Sequence, residues 1–136
     1  MGTFVLLFTC MAFTGPDQGG KHAESIARGK KVYNEVCLAC HQADAAGVPR
    51  MTPPLIKTPY VLGNKEALIR IVLKGLKGGE VEVDGERYEN PMPPQEDALT
   101  DQQIADVLTY VRNSFGNKAS AVGVHEVKHV RAKNEK

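Results

Sequence analysis

Three stretches of this chain repeat apolar residues at three- and four-residue steps, the pattern of helices with one buried face. The first runs from about Ser25 to Ala39. Ile26, Val32 or Tyr33, Val36 and Cys40 lie on its stripe, and Ser25 is the expected N-cap. Gly29, Tyr33 and Cys37 are spaced by four and share one face. A glycine inside a helix costs about 1 kcal/mol relative to alanine, so Gly29 predicts the close approach of another helix. The second helix opens after Asn64, carries Leu68, Ile69, Val72 and Leu73, and stops at Gly75. The third is the best marked. Thr100 and Gln103 form a capping box, Asp101 sits in the first turn, and Ile104, Val107, Leu108 and Val111 make the stripe. Gly116 is its expected terminal glycine. Val124, Val127 and Val130 predict one or two further turns between Val122 and Ala132, before a frayed tail from Lys133 to Lys136.

Between these helices the period changes. Gln42 to Tyr60 predicts loop, because Gly47, Pro49, Pro53, Pro54 and Pro59 forbid a long helix. Across Glu80 to Tyr88, Val81 and Val83 alternate with charges, and Asp84-Gly85 is a two-residue hairpin turn. Asn90-Pro-Met-Pro-Pro94 is a stiff non-helical loop. Ahead of the first helix, Phe4 to Phe13 is an apolar run too short to cross a bilayer, followed by Thr14-Gly15-Pro16. Residues 1–20 therefore resemble a secretory leader, although no Lys or Arg precedes the run. Cys10 lies inside it and is expected to leave with it. Leu7, three residues before, suits a lipidated cysteine; Thr9, where a small Gly, Ala or Ser belongs, does not. The expected domain is 21–136, undivided by any repeat or linker.

Composition narrows the class. A chain of 136 residues suits one domain, and 42% apolar with 24% charged residues is ordinary for a globular protein. A formal net charge of +1 gives no footing for nucleic acid or a strongly acidic partner. Trp is absent and only 6% of residues are aromatic, so a large apolar cofactor would suit the core.

The chemistry lies in Cys37-Leu-Ala-Cys-His41, the pattern of covalent c-type haem attachment. On a helical turn the two cysteines face the same way, and each thiol can add to one vinyl group of a single haem. His41 is then the candidate axial ligand through a ring nitrogen. A zinc site would want a second ligand pair, and no cysteine follows Cys40. A thioredoxin-like dithiol needs a preceding strand, whereas helix precedes here. A metal-bound histidine gives its other N–H to an acceptor, and a carbonyl near Pro53 is the candidate. His125 and His129, four apart, are expected on a solvated helical face, and His22 lies in the lead-in.

The order of these parts resembles a class I c-type cytochrome over roughly residues 25–116. The likeness is carried by Gly29 and Tyr33 before the haem motif, Pro53-Pro-Leu55 after it, Met92-Pro-Pro94, and Thr109-Tyr-Val-Arg112 in the last helix. It implies an all-α, orthogonal fold of three to five helices around one covalent haem c, with the small hairpin before the methionine loop. It also implies a close crossing of first and last helices at Gly29 and Tyr110, and the Pro53 carbonyl as the acceptor for His41. The leader and the extension from about residue 117 depart from the family, and neither is expected to touch the haem site.

The sixth ligand is sought among four methionines. Met1 and Met11 fall in the leader. Met51 lies ten residues after His41, in the loop on the histidine side, and is expected as an apolar plug. Met92 lies beyond the middle helix and hairpin, stiffened by Pro91, Pro93 and Pro94, and is the expected metal ligand with His41. Both axial places filled implies single-electron transfer between redox partners rather than catalysis. Docking is expected to be transient, with Lys57 and Lys65 among the candidate contacts. The expected location is periplasmic or otherwise extracytoplasmic, at a membrane only if Cys10 is lipidated or the leader stays. The alternatives are a haem module of a larger oxidoreductase, or a haem enzyme or gas-binding protein with a displaceable sixth ligand.

Overall fold

The computed structural model describes residues 18–134. Residues 1–17 of the expected leader, with Met1, Cys10 and Met11, lie outside the described residues, while its last three, Gln18 to Gly20, open the first helix. A long N-terminal helix, α1 (Gln18–Val32), runs into a π-helical turn, Tyr33–Cys37, and ends in one α-helical turn, α2 (Leu38–His41). Thus Ser25 is no cap. It lies within α1, where its hydroxyl donates to Asp106 at 2.6 Å.

The long loop that follows is interrupted at its end. Pro59 begins a short helix, α3 (Pro59–Leu62), instead of preventing one. Thr58 caps it by accepting from the Val61 N–H at 3.2 Å, and proline at the first helical position loses no hydrogen bond. The helix α4 (Lys65–Lys74) is capped by Asn64, whose side chain accepts from Ala67 N–H at 2.9 Å, and it stops at Gly75. The hairpin pairs β1 (Val81–Val83) with β2 (Glu86–Tyr88), Val81 opposite Tyr88. Asp84 and Gly85 both take positive φ at its turn, 52° and 80°.

The helix α5 (Asp101–Arg112) carries the full Thr100–Gln103 capping box and is buried on nearly every side. It ends at Asn113, before Gly116; the positive φ of Phe115 and Gly116, 57° and 80°, makes a separate turn. The extension forms α6 (Val124–Asn134), whose Val127 and Val130 are buried. Lys133 is helical and donates to Glu66 at 3.2 Å, so the fraying expected of it does not occur. Arg131 ties α6 to the start of α5, donating to Asp101 at 2.8 Å and to the Glu96 carbonyl at 2.7 Å. Among the described residues no helix is long and apolar enough to cross a membrane.

The core is organised by the crossing of α1 over α5. A Cβ at Gly29 would stand 2.0 Å from the Asp106 carbonyl oxygen and 2.7 Å from Tyr110 Cβ. Only a glycine lets the helices come this close. Beside the crossing, Tyr33, Tyr110 and Phe115 pack their rings together, with centroids 5.4–5.5 Å apart. The buried Asp106 carboxylate takes hydrogen bonds from Ser25, from Arg28 at 2.7 and 3.0 Å, and from Gln102 at 3.0 Å. The second buried charge, Arg112, donates to the carbonyls of Val61 and Gly63 and to Ser120. Neither network left a local mark in the sequence.

Candidate functional site

One cavity holds about 1020 Å³ of empty space, its mouth included. The turn Val36–His41 forms part of its wall, with Pro53 to Leu55, α3, α4, the hairpin, Met92-Pro93 and α5 supplying the rest. The lining is mostly aliphatic and almost wholly apolar. Leu68, Val72, Val107 and Leu108 face it from the two helices, and Val81 and Val83 from the hairpin. The helices contribute these residues because their apolar stripes are wider than helix–helix packing alone consumes.

Cys37, Cys40, His41, Pro53 and Met92 all line this one cavity. They come from three separate stretches of chain. Cys37 is half-buried and Cys40 exposed, and neither is in a disulfide. Burial pushes the Cys37 thiol up to about 11, with Cys40 adding to the rise. The π-helical turn inserts one residue ahead of the motif, so Cys37 no longer continues the face set by Gly29. Tyr33, in that turn, donates its hydroxyl to the Gln42 carbonyl at 2.7 Å and so holds the far end of the motif as well.

His41 is the best-defined donor. Its Nδ1 lies 3.1 Å from the Pro53 carbonyl oxygen. A carbonyl only accepts, so Nδ1 carries the proton and the lone pair is left on Nε2. Burial holds the imidazole below its usual range, and the Pro53 carbonyl opposes this. The ring is therefore neutral and ready to act as a metal ligand at neutral pH.

Met92 is half-buried, and its backbone is pinned. Its N–H and carbonyl both pair with Leu76, at 2.9 Å each. Gly75, at φ +69°, permits this, since a Cβ there would stand 2.2 Å from the Met92 carbonyl oxygen. The methionine loop also completes α4: Gln95 N–H donates to Val72 at 3.0 Å, among the carbonyls that a helix end leaves open. The loop that carries Pro53 and the loop that carries Met92 are tied to each other, Glu89 N–H to Arg50 and Asn90 N–H to Met51, at 3.0 Å each.

Two expectations change. Met51 is 49% exposed and fills no gap; its backbone serves the loop, the N–H donating to the Val48 carbonyl and the carbonyl accepting from Asn90. Lys65 is engaged within the fold, with Glu126 at 2.6 Å and the Ala121 carbonyl at 3.1 Å, so it is not free to meet a partner. Lys57 is exposed. The extension lines no part of the cavity, as expected, and meets it only indirectly, through Asn117 donating to the carbonyl of Leu55, a cavity-lining residue. His125 and His129 are exposed. Among the described residues no group of three or more His, Cys, Asp or Glu side chains is arranged to hold a metal ion.

These residues fit a haem. A large planar apolar group suits a cavity lined in this way, two thiols stand at its wall, and an imidazole and a thioether offer iron a nitrogen and a soft sulfur. Comparison with known proteins agrees. The cytochrome c family model matches residues 26–115. The chain is 35% identical to cytochrome c-552 of Thermus thermophilus, over 79% of this chain and 86% of that protein. It is 37% identical to the cytochrome c subunit of the quinone-dependent alcohol dehydrogenase of Gluconacetobacter polyoxogenes over 67% of its own length. It is 35% identical to the cytochrome c subunit of gluconate 2-dehydrogenase of Pantoea cypripedii over 80% of its own length. It spans only 19% and 25% of those two subunits.

Proposed function

The chain belongs to the cytochrome c family, and on that footing we propose a monohaem electron carrier whose iron is held by His41 and Met92. Its work is the family's, the transfer of single electrons. When bound, haem c supplies the Fe(II)/Fe(III) couple. Cys37 and Cys40 would hold the group as thioethers, each S–H adding across one vinyl group, sulfur to one carbon and hydrogen to the other. His41 would bind the iron through Nε2, since Nδ1–H is given to Pro53. Met92 brings a soft sulfur that favours Fe(II) and raises the potential relative to harder ligands. Leu68, Val107 and Leu108 keep water from the cavity, which strengthens these electrostatic effects.

The reading rests on one observation. An imidazole with Nδ1 already committed shares an apolar cavity with a thioether and both cysteines of the attachment motif. Partner docking is transient in this reading. Tyr60 lines the cavity and is 38% exposed, so it stands at the mouth near exposed Ile56 and Lys57. Residues 1–20 act as a leader and 21–136 as the haem domain, which places the protein outside the cytoplasm, in the periplasm where there is one. Membrane attachment would follow only from lipidated Cys10 or a retained leader. The second reading is a haem module serving one larger oxidoreductase, favoured by the dehydrogenase cytochrome subunits among its relatives.

Optical spectra of the purified protein in both oxidation states, with and without carbon monoxide, test the ligand set. The parent should show the far-red sulfur-to-iron band when oxidised and resist carbon monoxide when reduced. Met92→Ala should lose the band, bind carbon monoxide and fall in potential; Met51→Ala should match the parent. A parent without the band that binds carbon monoxide freely would point to a gas-binding or enzymatic haem instead.

A further inference from the structure

We propose that Asn117 is a positioning residue for the His41 imidazole, acting through the loop that supplies the Pro53 carbonyl; this rests on His41 being the axial ligand. Asn117 follows α5, beyond the span matched by the family, and is 3% exposed. Both amide hydrogens and the oxygen of its side chain are used. Nδ2 donates to the Leu55 carbonyl at 2.9 Å and to the Val111 carbonyl at 2.8 Å, and Oδ1 accepts the Lys57 N–H at 2.8 Å. Val111 lies in the last turn of α5, where carbonyls have no partner within the helix. The amide thus fastens the loop to the rigid end of α5.

The fastened stretch begins two residues after Pro53. Leu55 is held at both backbone groups, its N–H donating to the Ala45 carbonyl at 2.9 Å and its carbonyl taken by Asn117. Pro54 lies between, and its ring fixes φ at about −65°. The Pro53 carbonyl therefore has little freedom to move independently of Leu55. Lys57 stands at φ +52°, a left-handed backbone that a residue with a Cβ adopts reluctantly, and the Asn117 oxygen helps to hold it there. Displacement of this loop reaches the imidazole through the single hydrogen bond from His41 Nδ1 to Pro53. An acceptor on Nδ1–H makes the ring a more basic ligand, which favours Fe(III). Loosening the acceptor should raise the reduction potential.

The test compares the haem-loaded parent with Asn117→Ala, Asn117→Gln and Val127→Ala. Val127 is fully buried on α6 and makes none of these side-chain hydrogen bonds. In the reduced parent the His41 Nδ1 proton should be visible by NMR and slow to exchange. Asn117→Ala should raise the potential and speed exchange of that proton and of the Lys57 amide by about tenfold or more. Asn117→Gln, the same amide one methylene longer, should shift both in the same direction by less, and it carries the test if the alanine variant does not fold. Val127→Ala should lower Tm while leaving the potential and the His41 proton unchanged. Asn117 variants that lose Tm but keep the parent's potential and exchange overturn the proposal. A parent whose iron is not bound by His41 overturns the ligand assignment beneath it.

Discussion

Gly29→Ala turns the crossing of α1 and α5 into a question of sign. On an exposed helical face the substitution stabilises by about 1 kcal/mol, because alanine is the better helix former. At the crossing the new methyl would stand 2.0 Å from the Asp106 carbonyl oxygen, 2.6 Å from its carbon and 2.7 Å from Tyr110 Cβ. None of these atoms is the free end of a side chain, so the two helices must separate. Overpacking of this kind costs about 1–3 kcal/mol. Separation also stretches the bonds that Ser25 and Arg28 give to Asp106, which puts the cost near the top of that range. Set against the helix-propensity gain, the net loss is about 2 kcal/mol. For a chain of this size Tm should fall by roughly 6–10 °C. The assay is thermal unfolding of the haem-loaded parent and variant by circular dichroism at one pH. A Tm equal to or above the parent's would refute the reasoning, since it would mean that residue 29 faces open space.

Two further perturbations address the buried charges. Burial pushes the Asp106 carboxyl up, but hydrogen bonds from Arg28, Ser25 and Gln102 outweigh it and hold the group below the usual carboxylate range. Its contribution is therefore fully present above the unfolded value of about 3.9 and is lost as pH falls through the lower folded value. Asp106→Asn should lower stability at pH 7 and flatten the acid limb of the profile, read by urea titrations across the acid range; an unchanged acid limb would assign it to other carboxylates. Arg112→Lys should cost about 3 kcal/mol, because one ammonium replaces a planar fork that serves Val61, Gly63 and Ser120 together. Urea unfolding checks this, and a loss under about 0.5 kcal/mol would show those carbonyls to be satisfied otherwise.

Elements set by nearby residues were legible. The Asn64 cap and Gly75 stop of α4, the Asp84-Gly85 turn and the Thr100–Gln103 box each work within a few residues, and each forms where expected. Local signals misled where a distant partner claimed the same atoms. Ser25 looks like a cap because a hydroxyl precedes an apolar stripe, yet its partner is 81 residues away on α5. Pro59 can end a helix or begin one, and Thr58 directly before it favours the beginning. Lys65 and Glu126 are 61 apart, so nothing near Lys65 hints that its charge is already answered. The site shows the same division. The candidate donors that share the cavity were legible as residue types at a spacing, whereas the supports beneath them were not. The Leu76–Met92 pairing, the tie from Asn90 to Met51 and the amide of Asn117 are backbone-directed contacts between remote stretches, which leave no periodicity to read.

The π-helical turn at Tyr33–Cys37 makes the attachment motif sensitive to chain length rather than to residue identity. Each residue advances an α-helix by about 100°, so one residue more or fewer redirects everything beyond it. Upstream of the turn, Ser25 and Gly29 address α5; from the end of the turn onward, Val36, Cys37, Cys40 and His41 address the cavity. A one-residue deletion between Tyr33 and Val36 would restore a regular helix and improve its hydrogen bonding. It would also swing both cysteines and the histidine roughly a quarter-turn off their target. Along this segment, substitutions should be absorbed far more readily than changes of reading length, and related chains should differ here in letters but not in count.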